Sequence, residues 1–576
     1  MNTRRARLRI SGMVLVVFLM VTVFVVRLVD IQVVRADELN AQSLEKRAQE
    51  LITYGVRGEI VDAHGAVLAD SVERYDITVS PRASLARENA MGVIADGLAR
   101  IAAVTKQDPD DLMAVILADP ASDFEYLTQG VTLDTFRAVD ALEIPWVYFE
   151  LRNGRSYPNG EVAGNLVGFI GTDGPQAGLE YTEDACLAST DGVSIFEKGE
   201  DGVRIPGSEV TTREPTNGGT LRLTIDRDLQ WWVQQRMEQA AQQLGATWAT
   251  AVVIRVSDGK LMAVTDYPTV DPNNVNDAPR EALGSVAFTT PYEPGSTIKV
   301  LTAASLLDAG VVNQSSQILA PYSREFPGAG VISNAFYGPD QLTLAGALVE
   351  SSNTAIAGFS ELLAPEARHD YLAGFGFGEY TEVGFNGESS GTLYPASEWD
   401  RRTNYTVQFG QGMTATSVQM ASAYQTLANG GVRMPVSLLE GCEWPDGTVT
   451  EAPLTEGTRV VSEAAARQTV EMMEMVATSS GSAPNLQIPG YRVAVKSGTA
   501  EVAEAGGYAD NKVVLSYAGM APAEDPQYAV VVTAGVNDRV FSGRIASTFR
   551  DVMAQTLTTF RVPPSTTPSP NLPLTW

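Results

Sequence analysis

Three observations predict an α+β, multidomain chain held by a single N-terminal transmembrane helix. The 576 residues exceed one compact domain and suggest three or four units. An apolar run near the N-terminus is long enough to cross a bilayer. Beyond residue 220, strand patterns at 221–225, 248–256 and 260–265 are separated by a long helical insert from others at 491–495, 513–520 and 527–534. That spacing predicts an antiparallel sheet flanked by helices.

Residues 1–9 carry Arg4, Arg5, Arg7 and Arg9 and no acid, and residues 10–26 are uncharged and mostly apolar. A helix over 10–29 is about 30 Å long at about 1.5 Å per residue, enough to span, with Arg27 snorkelling at the far interface. The basic cluster makes 1–9 a cytoplasmic head and places everything after residue 30 outside the membrane. No A-x-A-like site follows the apolar run, so it reads as an uncleaved anchor rather than a signal peptide.

Residues 30–219 read as an elongated pedestal. It comprises a helix-compatible stalk over 31–50 and a short hairpin over 59–68 that turns at Ala63-His64-Gly65. A strand at 75–80, a mainly helical stretch over 85–145 and a glycine-dense sheet region from 155 to 219 follow. Residues 220–560 form the larger domain. A strand at 221–225 leads to a helix over 228–245, and Ser257-Asp258-Gly259 joins the next two strands as a tight hairpin. Helices fill much of 296–365, and an amphipathic helix near 543–559 closes the domain. Residues 561–576 hold five prolines and read as an extended tail.

Composition excludes several functions. Lysine and arginine number 41 against 69 acids, a formal charge of −28, so no basic face is available for nucleic acid. A hydrophobic content of 44% excludes global disorder. Two histidines, His64 and His369, are too few for most zinc sites, and neither a metal nor a cofactor is expected. Two cysteines, Cys186 and Cys442, rule out a disulfide framework and read as unpaired thiols, with one bridge between them as the alternative.

The chain has only seven lysines, at 46, 106, 198, 260, 299, 496 and 512, in a sequence that otherwise prefers arginine. A partly buried lysine can act as a base at neutral pH, which arginine cannot. Ser-x-x-Lys occurs three times. Ser43/Lys46 lies in the stalk and Ser257/Lys260 on the hairpin, both read as solvent-facing accidents. Ser296/Lys299 follows Glu293-Pro294-Gly295 and precedes an apolar helix pattern, which puts Ser296 in the first turn near the positive dipole end and Lys299 on the same face. On this segment alone an N-cap serine beside a surface lysine is an equal reading. Ser351-Ser352-Asn353 places a hydroxyl and an amide at i and i+2. Lys496-Ser497-Gly498-Thr499 ends an apolar strand, and its glycine permits close approach of a ligand backbone.

In this order, with gaps of 55 and 145 residues, the three segments resemble the penicillin-binding protein and serine β-lactamase superfamily. Further segments look like the anchor and pedestal of class B penicillin-binding proteins: residues 27–34, Arg57-Gly58-Glu59-Ile60-Val61-Asp62, Arg155-x-Tyr157-Pro158 and Gly178-Leu179-Glu180. Gly410-Gln411-Gly412 and residues 496–500 look like parts of the catalytic domain of that class, and the likeness covers about 27–560. Departures are small: Ser497 stands where threonine is commoner, and 542–547 is a loose version of the usual glycine-and-alanine run. Gly374-Phe375-Gly376-Phe377-Gly378 lacks the ending of a phosphate loop and matches a family connector.

The resemblance implies a penicillin-binding/β-lactamase-like transpeptidase domain on a pedestal. It further implies a serine-type D-Ala-D-Ala transpeptidase that cross-links peptidoglycan stem peptides, needs no cofactor, and is a target of β-lactams. Ser296 would be the nucleophile, Lys299 its base, Ser351 and Lys496 a proton relay to the leaving D-alanine, and Asn353 a holder of the peptide amide. Ser497, Gly498 and Thr499 would line the substrate, with the N–H groups of Ser296 and Thr499 as oxyanion hole. The expected setting is the bacterial plasma membrane, single-pass, in septal wall synthesis. The expected partners are the stem peptides of the product made from lipid-linked precursor, a polytopic SEDS-family glycosyltransferase and other divisome membrane proteins. A side-wall synthase, or a β-lactam-binding hydrolase or sensor of the same fold, is the alternative.

Overall fold

The computed structural model describes residues 3–36, 38, 48–87, 89–171, 173–197, 205–452, 456–504, 507–538, 540 and 542–576. Half of the predicted stalk, with Ser43 and Lys46, lies outside these residues. Contacts divide the chain into two units, Met1–Val56 with Ser189–Asn217 and Arg57–Ala188 with Gly218–Trp576.

The first unit holds helix α1, Thr3–Val29, which continues as a π-helical turn over Asp30–Val34. The stretch Arg7–Val34 is long and apolar enough to cross a membrane, and Arg27 pairs with Asp30 at 2.6 Å. The unit also holds a three-stranded antiparallel sheet of Ala48–Thr53, Gly192–Glu197 and Val210–Arg213.

In the second unit the predicted hairpin forms, but its outgoing strand does not stop: Val67–Val79 is one strand that includes the segment expected separately at 75–80. It pairs with Glu125–Val131 and with Val147–Ser156. The mainly helical reading of 85–145 therefore holds with one exception, the strand Glu125–Val131. Helices occupy Ala90–Thr105, Pro109–Ala118 and Leu133–Asp140, and a strand intervenes. Long-range pairing with Val67–Val79 decides the state of Glu-Tyr-Leu-Thr-Gln-Gly-Val, which lacks strict alternation.

The three pedestal segments singled out by resemblance converge on one carboxylate. Glu180 is fully buried and accepts from Arg57 Nε at 2.8 Å and Arg155 Nε at 2.6 Å, while Arg57 also pairs with Asp184 at 2.5 Å. Tyr157 OH completes the cluster at 3.4 Å from Glu180 Oε1. Burial beside that carboxylate pushes the phenol up.

Cys186 and Cys442 form a disulfide, so the reading of two free thiols is corrected. Their separation of 256 residues hides a folded neighbourhood: Gly219 N donates to Cys186 O at 2.7 Å, and Leu221 pairs directly with Cys442. The segment 219–221 thus brings both cysteines to one place.

The larger domain is built on a five-stranded antiparallel sheet. Helix α2, Arg227–Leu244, is capped by Asp226, whose side chain accepts from Leu229 N, and stops at Gly245 with φ +62°. Strands β1, Ala246–Arg255, and β2, Leu261–Tyr267, form the predicted hairpin. After a mostly helical insert come β3, Ala494–Glu504, β4, Gly507–Ala521, and β5, Tyr528–Val536, giving the order β2–β1–β5–β4–β3. The insert carries α3, Lys299–Asp308, α4, Leu344–Val349, α5, Asn353–Ser360, and the wholly buried α6, Ser417–Ala428. It is interrupted by four short strands between Gln317 and Thr343, where helix was expected. Helix α7, Glu463–Ser479, precedes β3, and α8, Ala546–Thr559, follows the sheet. Helices α2 and α8 pack together on the sheet, as do α6 and α7. Both faces of β1, β4 and β5 are covered in consequence, which is why their inner stretches read as continuous apolar runs rather than alternating ones.

Candidate active site

Three segments meet at β3. The chain from Pro294 makes one 3-10 turn, Gly295–Ile298, before α3 begins at Lys299, a tighter start than the regular helix turn expected. Ser296 is half-buried in that turn and Lys299 is fully buried. The turn is held from several sides. Thr297 Oγ1 donates to Pro294 O at 2.8 Å, Tyr424 OH of α6 donates to Thr297 O at 2.9 Å, and Gly295 N donates to Gly410 O at 3.0 Å.

The second segment is a kink between α4 and α5. Ser351 has φ +52°, a left-handed conformation that costs a non-glycine residue on the order of 1 kcal/mol or more. Ser352 then caps α5 through Oγ, which accepts from Ala355 N at 3.1 Å. The kink aims both oxygens of Ser351 at the two lysines. Lys299 Nζ donates to Ser351 O at 2.5 Å and lies 3.3 Å from Ser351 Oγ, while Lys496 Nζ donates to Ser351 Oγ at 2.9 Å and to Ser497 O at 3.0 Å. Asn353 Nδ2 donates to Ser333 O at 3.0 Å.

The third segment is β3 itself. Lys496, Gly498 and Ala500 are buried while Ser497 and Thr499 are half-buried, the alternation of a strand with one open face. Gly498 is required by proximity: a Cβ there would lie 2.3 Å from Ser516 Oγ and 2.9 Å from Pro294 O. The Ser296 turn therefore presses on β3, and a Cβ built on Gly295 would lie 3.1 Å from Thr499 O. Thr499 Oγ1 also accepts from Ser542 N at 3.2 Å.

The fold thus gathers Ser296, Lys299, Ser351, Asn353, Lys496, Ser497, Gly498 and Thr499 around one place. Among the described residues Ser296 Oγ has no hydrogen bond to Lys299, whose amine is committed to Ser351 instead. Every side-chain hydrogen bond of the two lysines among the described residues goes to a neutral oxygen. Burial, reinforced by the Lys496 charge, pulls the Lys299 amine well below the ordinary lysine value, and burial lowers Lys496 to about 7. An unprotonated amine one turn from a serine hydroxyl can accept its proton, and a serine held between two lysines can pass one on. Of the other Ser-x-x-Lys pairs, Lys260 is ion-paired to Glu440 at 2.8 Å, away from Ser257 and not merely solvent-facing. His64 is an exposed turn residue. Among the described residues no group of three or more His, Cys, Asp or Glu is placed to hold a metal ion.

Sequence reasoning missed three supports. Asn334 Oδ1 accepts from Ser352 Oγ at 3.1 Å and Thr354 N at 3.0 Å, fixing the kink. Glu293 Oε1 accepts from Gly412 N at 2.8 Å and ties the Gly410-Gln411-Gly412 segment to the residue before Pro294. Tyr424 is a lone aromatic on an apolar helix, a pattern that carries no signal in sequence.

The family model described as penicillin binding protein transpeptidase domain matches residues 249–554, and the one described as penicillin-binding protein dimerisation domain matches 52–223. The penicillin-binding protein PbpB of Mycolicibacterium smegmatis is 32% identical, covering 97% of this chain and 91% of its own. The peptidoglycan D,D-transpeptidase FtsI of Escherichia coli is 32% identical over 90% of this chain and 86% of its own. Among solved structures, a peptidoglycan synthetase from Bifidobacterium adolescentis superposes with a TM-score of 0.72 at 30% identity, covering 92% of this chain and all of that one. Penicillin-binding protein 3 of Mycobacterium tuberculosis complexed with ampicillin gives 0.71 at 27%, covering 91% of this chain and all of that one. With both family models matched in order and relatives alike over nearly the whole length, the chain belongs to the class B penicillin-binding proteins.

Proposed function

We propose that this protein is a peptidoglycan D,D-transpeptidase of septal wall synthesis. The observation that carries the chemistry is the Ser351 hydroxyl held between two buried lysine amines, of which Lys299 lies one turn from Ser296. Relatives named PbpB and FtsI support the substrate and the septal branch.

Lys299, unprotonated, takes the Ser296 proton as Oγ attacks the carbonyl between the two D-alanines of a stem peptide. The oxyanion rests on the N–H groups of Ser296 and Thr499. Ser351, polarised by Lys496, passes a proton to the departing D-alanine amine, and the C–N bond breaks to leave an ester on Ser296. An amine from a second strand then attacks that ester, returns a proton through the same relay, and leaves an amide cross-link and free Ser296. Asn353 holds the peptide amide, and Ser497 and Thr499 hold the terminal carboxylate beside Gly498. β-Lactams acylate the same serine.

The same reading takes residues 1–9 as cytoplasmic head, 10–29 as the single-pass plasma-membrane anchor, 30–219 as pedestal, 220–560 as transpeptidase domain and 561–576 as tail, with residues beyond the anchor outside the cell. Anchor and pedestal would meet a polytopic SEDS-family glycosyltransferase and other division proteins. Covalent labelling by a fluorescent penicillin tests the site: wild type is expected to label and Ser296→Ala to stay dark. A Ser296→Ala protein that still labels contradicts the assignment. A fluorescent fusion gathering at midcell supports the septal branch, and an even sidewall signal contradicts it.

A further inference from the structure

We infer that residues 562–576 are a positioning strap that ties the strand entry carrying Lys496 to the helix that delivers Ser351. This rests on the proposed chemistry and adds an element to it. The tail leaves α8 at Phe560, whose ring stacks on Tyr528 with centroids 4.8 Å apart. It first runs beside the residues leading into β3. Val562 O accepts from Tyr491 OH at 2.6 Å, Ser565 N donates to Gly490 O at 2.9 Å, and Ser565 Oγ accepts from Arg492 N at 2.9 Å. Thr567 Oγ1 accepts from Arg492 Nη1 at 2.6 Å, while the same guanidinium pairs at 2.5 Å with the buried Glu474 of α7. Helix α7 packs on α3, which begins at Lys299.

The tail then crosses to α4. Leu574 O accepts from Thr343 N at 3.0 Å and Pro573 O accepts from Thr343 Oγ1 at 2.6 Å, and Thr575 bridges to Leu342. Thr343 is the N-cap of α4, so the strap holds the start of a six-residue helix whose far end is the Ser351 kink. The seat is shaped for backbone: a Cβ on Gly346 would lie 1.9 Å from Leu574 O. Five prolines between 562 and 576 keep the strap extended and reduce the entropy lost when it docks.

The low proton affinity of the two lysines depends on close, dry packing against Ser351. Freeing the cap of α4 from the entry to β3 lets water reach the amines, and they regain protons at higher pH. A merely stabilising tail would lower the melting temperature without moving the pH profile.

The test uses the full chain in detergent, the same chain lacking 562–576, and Gly346→Ala, which pushes the Leu574 carbonyl off its seat. Acylation by a fluorescent penicillin is followed across pH beside thermal melting. Acylation about tenfold slower at pH 7, equivalent to roughly 1.4 kcal/mol, is expected in both variants, with the acid limb moved to higher pH. A synthetic peptide of residues 562–576 should restore part of the rate to the truncated protein. Wild-type rates and an unshifted acid limb in the truncated protein overturn the strap, whatever happens to the melting temperature. Should truncation prevent folding, the same result in Gly346→Ala overturns it. Failure of wild type to acylate at Ser296 would instead refute the proposed chemistry.

Discussion

Two buried charge clusters in this molecule follow opposite rules. Around Glu180, two guanidiniums face one carboxylate, opposite charges lie within 2.6–2.8 Å, and the geometry is that of a joint. Around Ser351, two lysines face each other across a hydroxyl, and every hydrogen bond they make among the described residues goes to a neutral oxygen. Opposite charges repay much of their desolvation. The two lysines have no countercharge to do so, and burial, reinforced at Lys299 by the Lys496 charge, pulls both amines below the ordinary lysine value. What separates the two clusters is whether a countercharge is buried with them, since both are buried.

Breaking the lysine cluster around Ser351 should have the largest effect. Lys299→Met is expected to slow penicillin acylation by about 10³-fold while the protein still folds, read by stopped-flow labelling and melting. Breaking the structural cluster should do the reverse. Glu180→Ala leaves two buried guanidiniums uncompensated and should cost about 3–5 kcal/mol in denaturant unfolding, with the folded fraction acylating normally.

The disulfide secures the same region as the Glu180 cluster, since Cys186 follows Asp184, the second partner of Arg57, in one short helix. Cys442→Ser should destabilise by about 2–4 kcal/mol and leave acylation unchanged. Replacing Lys496 should have a smaller effect on stability, and of opposite sign. Lys496 falls from 10.5 in the free side chain to about 7, so between those values the unfolded chain binds the extra proton and stability rises with pH. Lys496→Met should flatten that slope and raise stability near pH 7.5 by roughly 2 kcal/mol, once about 1 kcal/mol is allowed for each lost hydrogen bond. It should also slow acylation, and removing the neighbouring cation should move the Lys299 limb to higher pH.

Much of this was legible because lysine is scarce. Lys299 and Lys496 stand out in an arginine-rich chain, and their spacing to Ser296, Ser351 and Gly498 carries the family pattern. The pedestal segments were equally visible as words, but their shared partner, Glu180, was not, because ion pairing across 123 positions leaves no trace in spacing. The cysteine bridge was hidden for the same reason. The left-handed Ser351 violates the usual preference for glycine or asparagine, and only the bonds to both lysines explain why a serine sits there. Strand β3 runs on to Glu504, well past 495 where its apolar pattern stops, because pairing with β4 overrides the weak propensity of Lys-Ser-Gly-Thr.

The claim that most needs testing is that the base at Ser296 is an unprotonated lysine at neutral pH. The rate of penicillin acylation of the wild-type protein, measured from pH 5 to pH 10, tests it directly. A rate level from about neutrality upward and falling only toward acid is the predicted result, because burial pulls the Lys299 amine well below the ordinary lysine value. A rate that keeps climbing through pH 9 and 10 would show an amine holding its proton at pH 7 and contradict the account.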